Sequence, residues 1–145
     1  MKKILVLFIA ILNFASCATA QDAVLEQYLL TYDYQARKDM RVDSEELVQL
    51  IKTKKAILLD IRFKEEYQSW NMPFAVSIPL PDLPNNLSKL DKNKLIITAC
   101  PHNDRAIIAM LYLKTKGYKV KYLSDGLLTL ADYLRGNNAL NFITN

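Results

Sequence analysis

The sequence predicts an α/β domain with a mainly parallel central sheet flanked by helices on both faces. Two uninterrupted apolar runs, Ala56-Ile57-Leu58-Leu59-Asp60 and Leu95-Ile96-Ile97-Thr98-Ala99, have the length of strands and the composition of strands buried on both faces. Segments of helical periodicity alternate with them, the pattern of parallel strands joined by helical crossovers. A length of 145 residues, 51% hydrophobic with Gly 3 and Pro 5, suits one domain with a core and excludes collagen-like or Pro/Gly-rich disordered chains.

In chain order, Met1-Lys2-Lys3, the apolar stretch Ile4 to Leu12 and the small-residue ending Ala18-Thr19-Ala20 make residues 1–20 a signal peptide. A membrane anchor is the competing reading, but the stretch falls short of the about 20 apolar residues that span a bilayer. Phe14-Ala15-Ser16-Cys17 also has the form of a lipoprotein box. Two outcomes stay open: a soluble periplasmic protein cleaved after Ala20, or a chain lipid-anchored at Cys17, the only case in which a membrane is a partner. Removing residues 1–20, with Lys2 and Lys3, leaves 125 residues and lowers the formal charge from +4 to +2. So neutral a domain has no field for nucleic acid. Its Lys-rich stretches at 52–55, 89–94 and 114–121 are interrupted by apolar residues.

Residues 21–41 form an N-terminal helical extension, with Leu25, Tyr28, Leu29, Tyr32 and Ala36 at helical spacing over Asp22 to Asp39. It packs on the domain or binds a partner. Asp43 and Glu46 make a capping box for a short helix through Leu47, Val48, Leu50 and Ile51. After the strand 56–60 come a polar helix from Phe63 to Trp70, a short strand Ala75 to Ile78, and a Pro79/Pro81/Pro84 loop leading into a helix at Asn85 to Leu90. The strand 95–99 runs into Cys100. A helix from Arg105 then stops at Gly117, a residue suited to a C-terminal cap. Val120 to Leu123 is a strand, Gly126 starts a turn, Leu127 to Leu134 a last helix, and residues 138–145 a polar tail.

Two cysteines and one histidine exclude a Cys/His zinc site. Once residues 1–20 are gone, or Cys17 is lipidated, Cys100 is the only free thiol of a chain bound for an oxidising compartment, where cysteines usually pair. In open α/β sheets ligands bind beyond the carboxyl ends of the strands, where Cys100-Pro101-His102-Asn103-Asp104-Arg105 lies. N–H groups of a tight loop at a helix N-terminus attract anions and lower a thiol pKa. Arg105 would add a positive charge. The plainer alternative is a cysteine that acts as a small buried hydrophobe.

At these residues the chain resembles the rhodaneses, or sulfurtransferases, of the small single-domain exported type, over about Val42 to Leu134, so that 42–137 would be a rhodanese-like domain. Asp60-Ile61-Arg62, Glu66-Tyr67, Met72-Pro73-Phe74-Ala75 and Ile78-Pro79 are similar to one of the family's patterns. Cys100-x4-Arg105 is similar to its six-residue active loop, and Asp125-Gly126 stands where the family has a Gly-Gly turn. The resemblance implies that Cys100 takes the outer sulfur of a small anionic donor, such as thiosulfate, a polysulfide or a persulfide. It then holds that sulfur as a persulfide and yields it to cyanide or a thiol, without a cofactor. His102, Asn103, Asp104 and Arg105 would bind the donor, while Asp60, Arg62 and Glu66 would form a structural ion-paired set.

Departures bear on detail. Asn103 replaces a glycine where positive φ is expected, and Asn tolerates that. Asn71 and Phe74 stand for His and Gly in the pocket wall. Asp104 disfavours a dianion, unless it turns outward or caps the following helix. His102 is expected to face solvent rather than act as a base. A cysteine phosphatase would need Arg at the sixth position after Cys100, which is Ala106. A non-catalytic or dedicated sulfur-carrier module working through a periplasmic protein partner stays open.

Overall fold

The computed structural model describes residues 22–144; residues 1–20, read above as a signal peptide, and Cys17 among them lie outside the described residues. The elements are α1 (residues 22–30), α2 (Tyr34–Asp39), β1 (Arg41–Val42), α3 (Ser44–Lys52), β2 (Ala56–Asp60), α4 (Lys64–Ser69), β3 (Val76–Ser77), β4 (Leu95–Ala99), α5 (Asp104–Thr115), β5 (Val120–Leu123), α6 (Gly126–Tyr133) and α7 (Gly136–Thr144). The five strands run in the order β1-β5-β4-β2-β3 and every pairing is parallel.

Alternation along the central strands sorts the core into two halves. Leu59, Ile96 and Cys100 join Ala106, Ala109, Met110 and Leu113 of α5 on one face. Leu58, Ile97 and Ala99 join Leu47 and Val48 of α3 and Leu127 and Leu130 of α6 on the other. Because both faces of β2 and β4 are covered, their residues read as continuous apolar runs. Leu47, Leu58, Leu59, Ile96 and Ile97 are completely buried. Truncating any one of them to alanine costs about 2–5 kcal/mol.

Local chemistry sets the ends. The Asp43 carboxylate accepts the Glu46 N–H at 2.9 Å and starts α3. Lys54, at φ 56°, turns the chain into β2, with the Lys54 and Lys55 N–H groups donating to Ile51 O and Leu50 O at 2.9 Å. That left-handed conformation normally favours glycine.

Four stretches differ from the sequence expectation, the first being the two-residue strand β1, which lies where the helical extension was expected to end. The extension is two helices rather than one, because the Asp33 carboxylate caps the Ala36 N–H at 2.7 Å and begins α2 as a separate helix. Tyr28 and Tyr32 turn their hydroxyls towards Met40 Sδ, at 3.9 and 3.2 Å, while Leu30 and Tyr34 stay exposed. The helix expected at Asn85 to Leu90 is a pair of 3-10 turns, Leu80–Asn85 and Leu87–Lys89. Pro81 and Pro84 there remove the N–H donors that a regular helix needs. The stretch read as a polar tail is helical to Thr144, because Phe142 packs on Phe74 with ring centroids 4.9 Å apart. Its apolar residues serve one face of α7 rather than a free end.

Candidate active site

β4 delivers Cys100 to the carboxyl end of the sheet, and α5 begins four residues later. The intervening loop is held from behind by α6. Leu127 N–H donates to Cys100 O at 2.9 Å and Leu128 N–H to Pro101 O at 3.4 Å. This approach depends on Gly126 at φ 76°, where a Cβ would lie 2.3 Å from Pro101 O and 2.5 Å from His102 O. Only glycine fits there. Asn103 adds a tie, its Nδ2 donating to Ser124 O at 3.2 Å. Its φ of −151° is negative, so the left-handed conformation expected at this position is not used.

The Cys100 side chain is buried. Backbone N–H groups of Ala106, Arg105 and His102 are directed at its sulfur, the cradle expected of a loop at a helix N-terminus. Their pull does not prevail. Burial pushes the thiol above the ordinary cysteine range, and the Asp104 carboxylate adds to this because Sγ donates to its Oδ1 at 3.5 Å. The resting group is therefore a thiol, where the sequence suggested a thiolate. Asp104 is exposed, as expected of a side chain turned outward, yet its Oδ1 stays 3.5 Å from Cys100 Sγ, and the helix cap is Asn103 rather than Asp104. Its own carboxyl is held below the usual carboxylate range, first by the Arg105 N–H and then by the Cys100 thiol. His102 is exposed and contributes its backbone N–H to the sulfur.

Arg105 does not stand free to receive an anion. Its Nη1 and Nη2 donate to Glu66 Oε2 and Oε1 at 2.6 and 2.9 Å, a bidentate pair with both side chains partly exposed. Glu66 Oε2 also accepts the Phe63 N–H at 3.1 Å, which ties the start of α4 to the loop. The guanidinium holds the Glu66 carboxyl below its ordinary range. The expected trio Asp60, Arg62 and Glu66 is thus split, because Glu66 belongs to Arg105. Asp60 and Arg62 form a separate buried pair at the end of β2, with Nη2 to Oδ2 at 2.6 Å. Arg62 Nη2 also donates to Trp70 O at 2.9 Å, and its guanidinium lies 4.1 Å from the Trp70 ring centroid. Burial and their mutual pairing make these two residues a brace for the loops around the site.

Sequence reasoning placed Cys100, Asp104 and Arg105 together but missed Trp70 beneath Arg62, for which no local pattern gives a signal. It also missed the close approach behind Gly126, signalled only by a glycine after a strand. Among the described residues no three His, Cys, Asp or Glu side chains converge as a metal ion would need.

Comparison with known proteins fits this geometry. The family model of the rhodanese-like domain matches residues 43–131, more than half of the chain. A sulfurtransferase of Allochromatium vinosum is 32% identical over 92 residues, 62% of this chain and 86% of its own length. The thiosulfate sulfurtransferase GlpE of Pseudomonas savastanoi is 27% identical over 81 residues, 56% of this chain and 76% of its own. Among solved structures, the BH2092 protein of Bacillus halodurans is 26% identical, with a TM-score of 0.58 over 72% of this chain and 82% of its own.

Proposed function

Because the chain belongs to the rhodanese-like domain family, we propose that it is an exported sulfurtransferase that carries sulfane sulfur on Cys100. One observation carries the reading: a buried thiol, the one cysteine among the described residues, at the carboxyl end of the central strand, in a six-residue loop whose N–H groups converge on the sulfur. The likeness to sulfurtransferases supports the general class.

The Cys100 thiol first loses its proton. The thiolate attacks the outer sulfur of the donor, the donor's S–S bond breaks, and the electron pair leaves with its inner part, as sulfite from thiosulfate or as a thiolate from a persulfide. The new Cys100–S–S group lies in the cradle of the His102, Arg105 and Ala106 N–H groups, which stabilise charge on the outer sulfur. Cyanide or a second thiol then attacks that outer sulfur and regenerates Cys100. The first acceptor gives thiocyanate and the second a new persulfide. No redox cofactor enters this balance.

A specific observation favours a second reading. The buried sulfur and the Glu66 clasp on Arg105 suit a carrier that loads slowly from free donors and unloads to a partner protein's thiol. Intact mass spectrometry after incubation with thiosulfate and, separately, polysulfide tests both. One added sulfur atom, absent in Cys100→Ser and released by cyanide as thiocyanate, is the expected result. An adduct released only by a protein thiol would favour the carrier, and no adduct with either donor would overturn the catalytic reading.

A further inference from the structure

The charges around the sulfur do not suit a doubly negative donor. Asp104 Oδ1 lies 3.5 Å from Cys100 Sγ. The only guanidinium of the loop is clasped by Glu66 at 2.6 and 2.9 Å, so its charge is already matched by a carboxylate. Two carboxylates thus stand against one guanidinium at the loop. The N–H cradle of His102, Arg105 and Ala106 is what remains to attract an anion. A donor's attacked sulfur must come within bonding distance of Sγ, and so within a few ångströms of Asp104. For a dianion this means repulsion that no free cation at the loop offsets.

We propose that Asp104 is the specificity-determining residue of the site, selecting the hydropersulfide of a thiol as sulfur donor and rejecting thiosulfate. This rests on the sulfurtransferase reading above and deepens it. A hydropersulfide, R–S–S–H, brings a protonated outer sulfur to the carboxylate, where it donates the hydrogen bond that the Cys100 thiol gives up on losing its proton. The Cys100 thiolate attacks that outer sulfur, and the S–S bond of the hydropersulfide breaks, its electron pair leaving on the inner sulfur. The leaving thiolate takes up the proton that Cys100 released, so that Cys100–SH and R–SSH become Cys100–SSH and R–SH. Protons and electrons balance with no further reactant. The product persulfide directs its S–H at Asp104 while it is protonated, and once ionised its charge falls to the N–H cradle. Thiosulfate has no such proton to offer and places two negative charges against the same carboxylate.

The experiment measures the rate of Cys100 persulfide formation by intact mass spectrometry, with cysteine hydropersulfide and thiosulfate as separate donors. It uses the mature wild-type protein and the near-isosteric variant Asp104→Asn. The wild-type protein is expected to load from the hydropersulfide at least about tenfold faster than from thiosulfate, and Asp104→Asn to raise thiosulfate loading by about tenfold or more, as removal of a charge next to a dianion requires. Excess thiosulfate is expected not to slow loading of the wild-type protein by hydropersulfide, a competition that needs no variant. Equal loading of the wild-type protein from both donors, or thiosulfate loading unchanged by Asp104→Asn, would overturn the role of Asp104 and leave the sulfurtransferase reading standing. No loading of the wild-type protein by either donor would overturn both.

Discussion

Cys100 is under two opposed influences, and their balance governs when it reacts. Three backbone N–H groups favour its charged form, while burial and the Asp104 carboxylate oppose it more strongly. A thiol whose pKa is raised is protonated below that value and becomes nucleophilic only as pH rises through it. The rate of Cys100 alkylation by iodoacetamide is therefore expected to climb at a pH above the ordinary cysteine value of about 8.5. In Asp104→Asn, which keeps burial but removes the charge, the climb is expected at lower pH. An unmoved profile would mean that burial alone sets the reactivity. Asp60 and Arg62 show the other use of charge. With side chains 0% and 1% exposed, neither can turn to water. Asp60→Ala strands a buried guanidinium and is expected to cost about 3–5 kcal/mol, read from a urea unfolding midpoint.

At the scale of elements, the site depends on how α6 begins. Gly126 and Gly117 both have positive φ, yet a Cβ at Gly117 meets nothing within 4 Å whereas one at Gly126 would enter the Pro101 and His102 backbone. Gly117→Ala is expected to cost about 1–2 kcal/mol from its conformation alone. Gly126→Ala is expected to exceed that by at least about 1 kcal/mol in a denaturant melt and, unlike Gly117→Ala, to slow Cys100 loading. The central strands β2 and β4 were legible in the sequence because burial on both faces leaves a continuous apolar run, as in Ile57-Leu58-Leu59 and Ile96-Ile97, whereas β1, only two residues long, was not read as a strand. The start of α3 was legible because Asp43 and Glu46 are local partners, three residues apart. The break at Asp33 was written in a capping residue too, but the apolar spacing of Tyr28, Tyr32 and Ala36 continues across it and hides the stop. At the site, the loop and its nucleophile were visible as a contiguous motif. The pairing of Glu66 with Arg105 spans 39 residues, and the direction of the Asp104 carboxylate is a side-chain rotamer. Neither leaves a mark in residue spacing.

Across the whole molecule, the sheet order separates neighbours in space from neighbours in sequence. β1 lies beside β5, with Arg41 opposite Tyr122 and Val42 opposite Leu123. Ser124 N–H and Oγ both donate to Val42 O, at 2.8 and 3.0 Å, and Ser44 N–H donates to Asp125 Oδ2 at 3.1 Å. The first strand is thus secured by the last. Such long-range pairing slows folding, because the loop entropy must be overcome before the contact rewards it. A chain ending at Ser124 retains all five strands and the whole Cys100 loop but lacks the α6 N–H groups that bind Cys100 O and Pro101 O. Its Cys100 is expected to be alkylated at a rate approaching that of the urea-unfolded protein. For a nascent chain leaving the ribosome the consequence is one of timing. Cys100 emerges well before Leu127 and Leu128, so the thiol is made first and sheltered last. During that interval it is an unprotected nucleophile, and whichever compartment the unfinished chain occupies must keep it reduced until the C-terminal segment arrives.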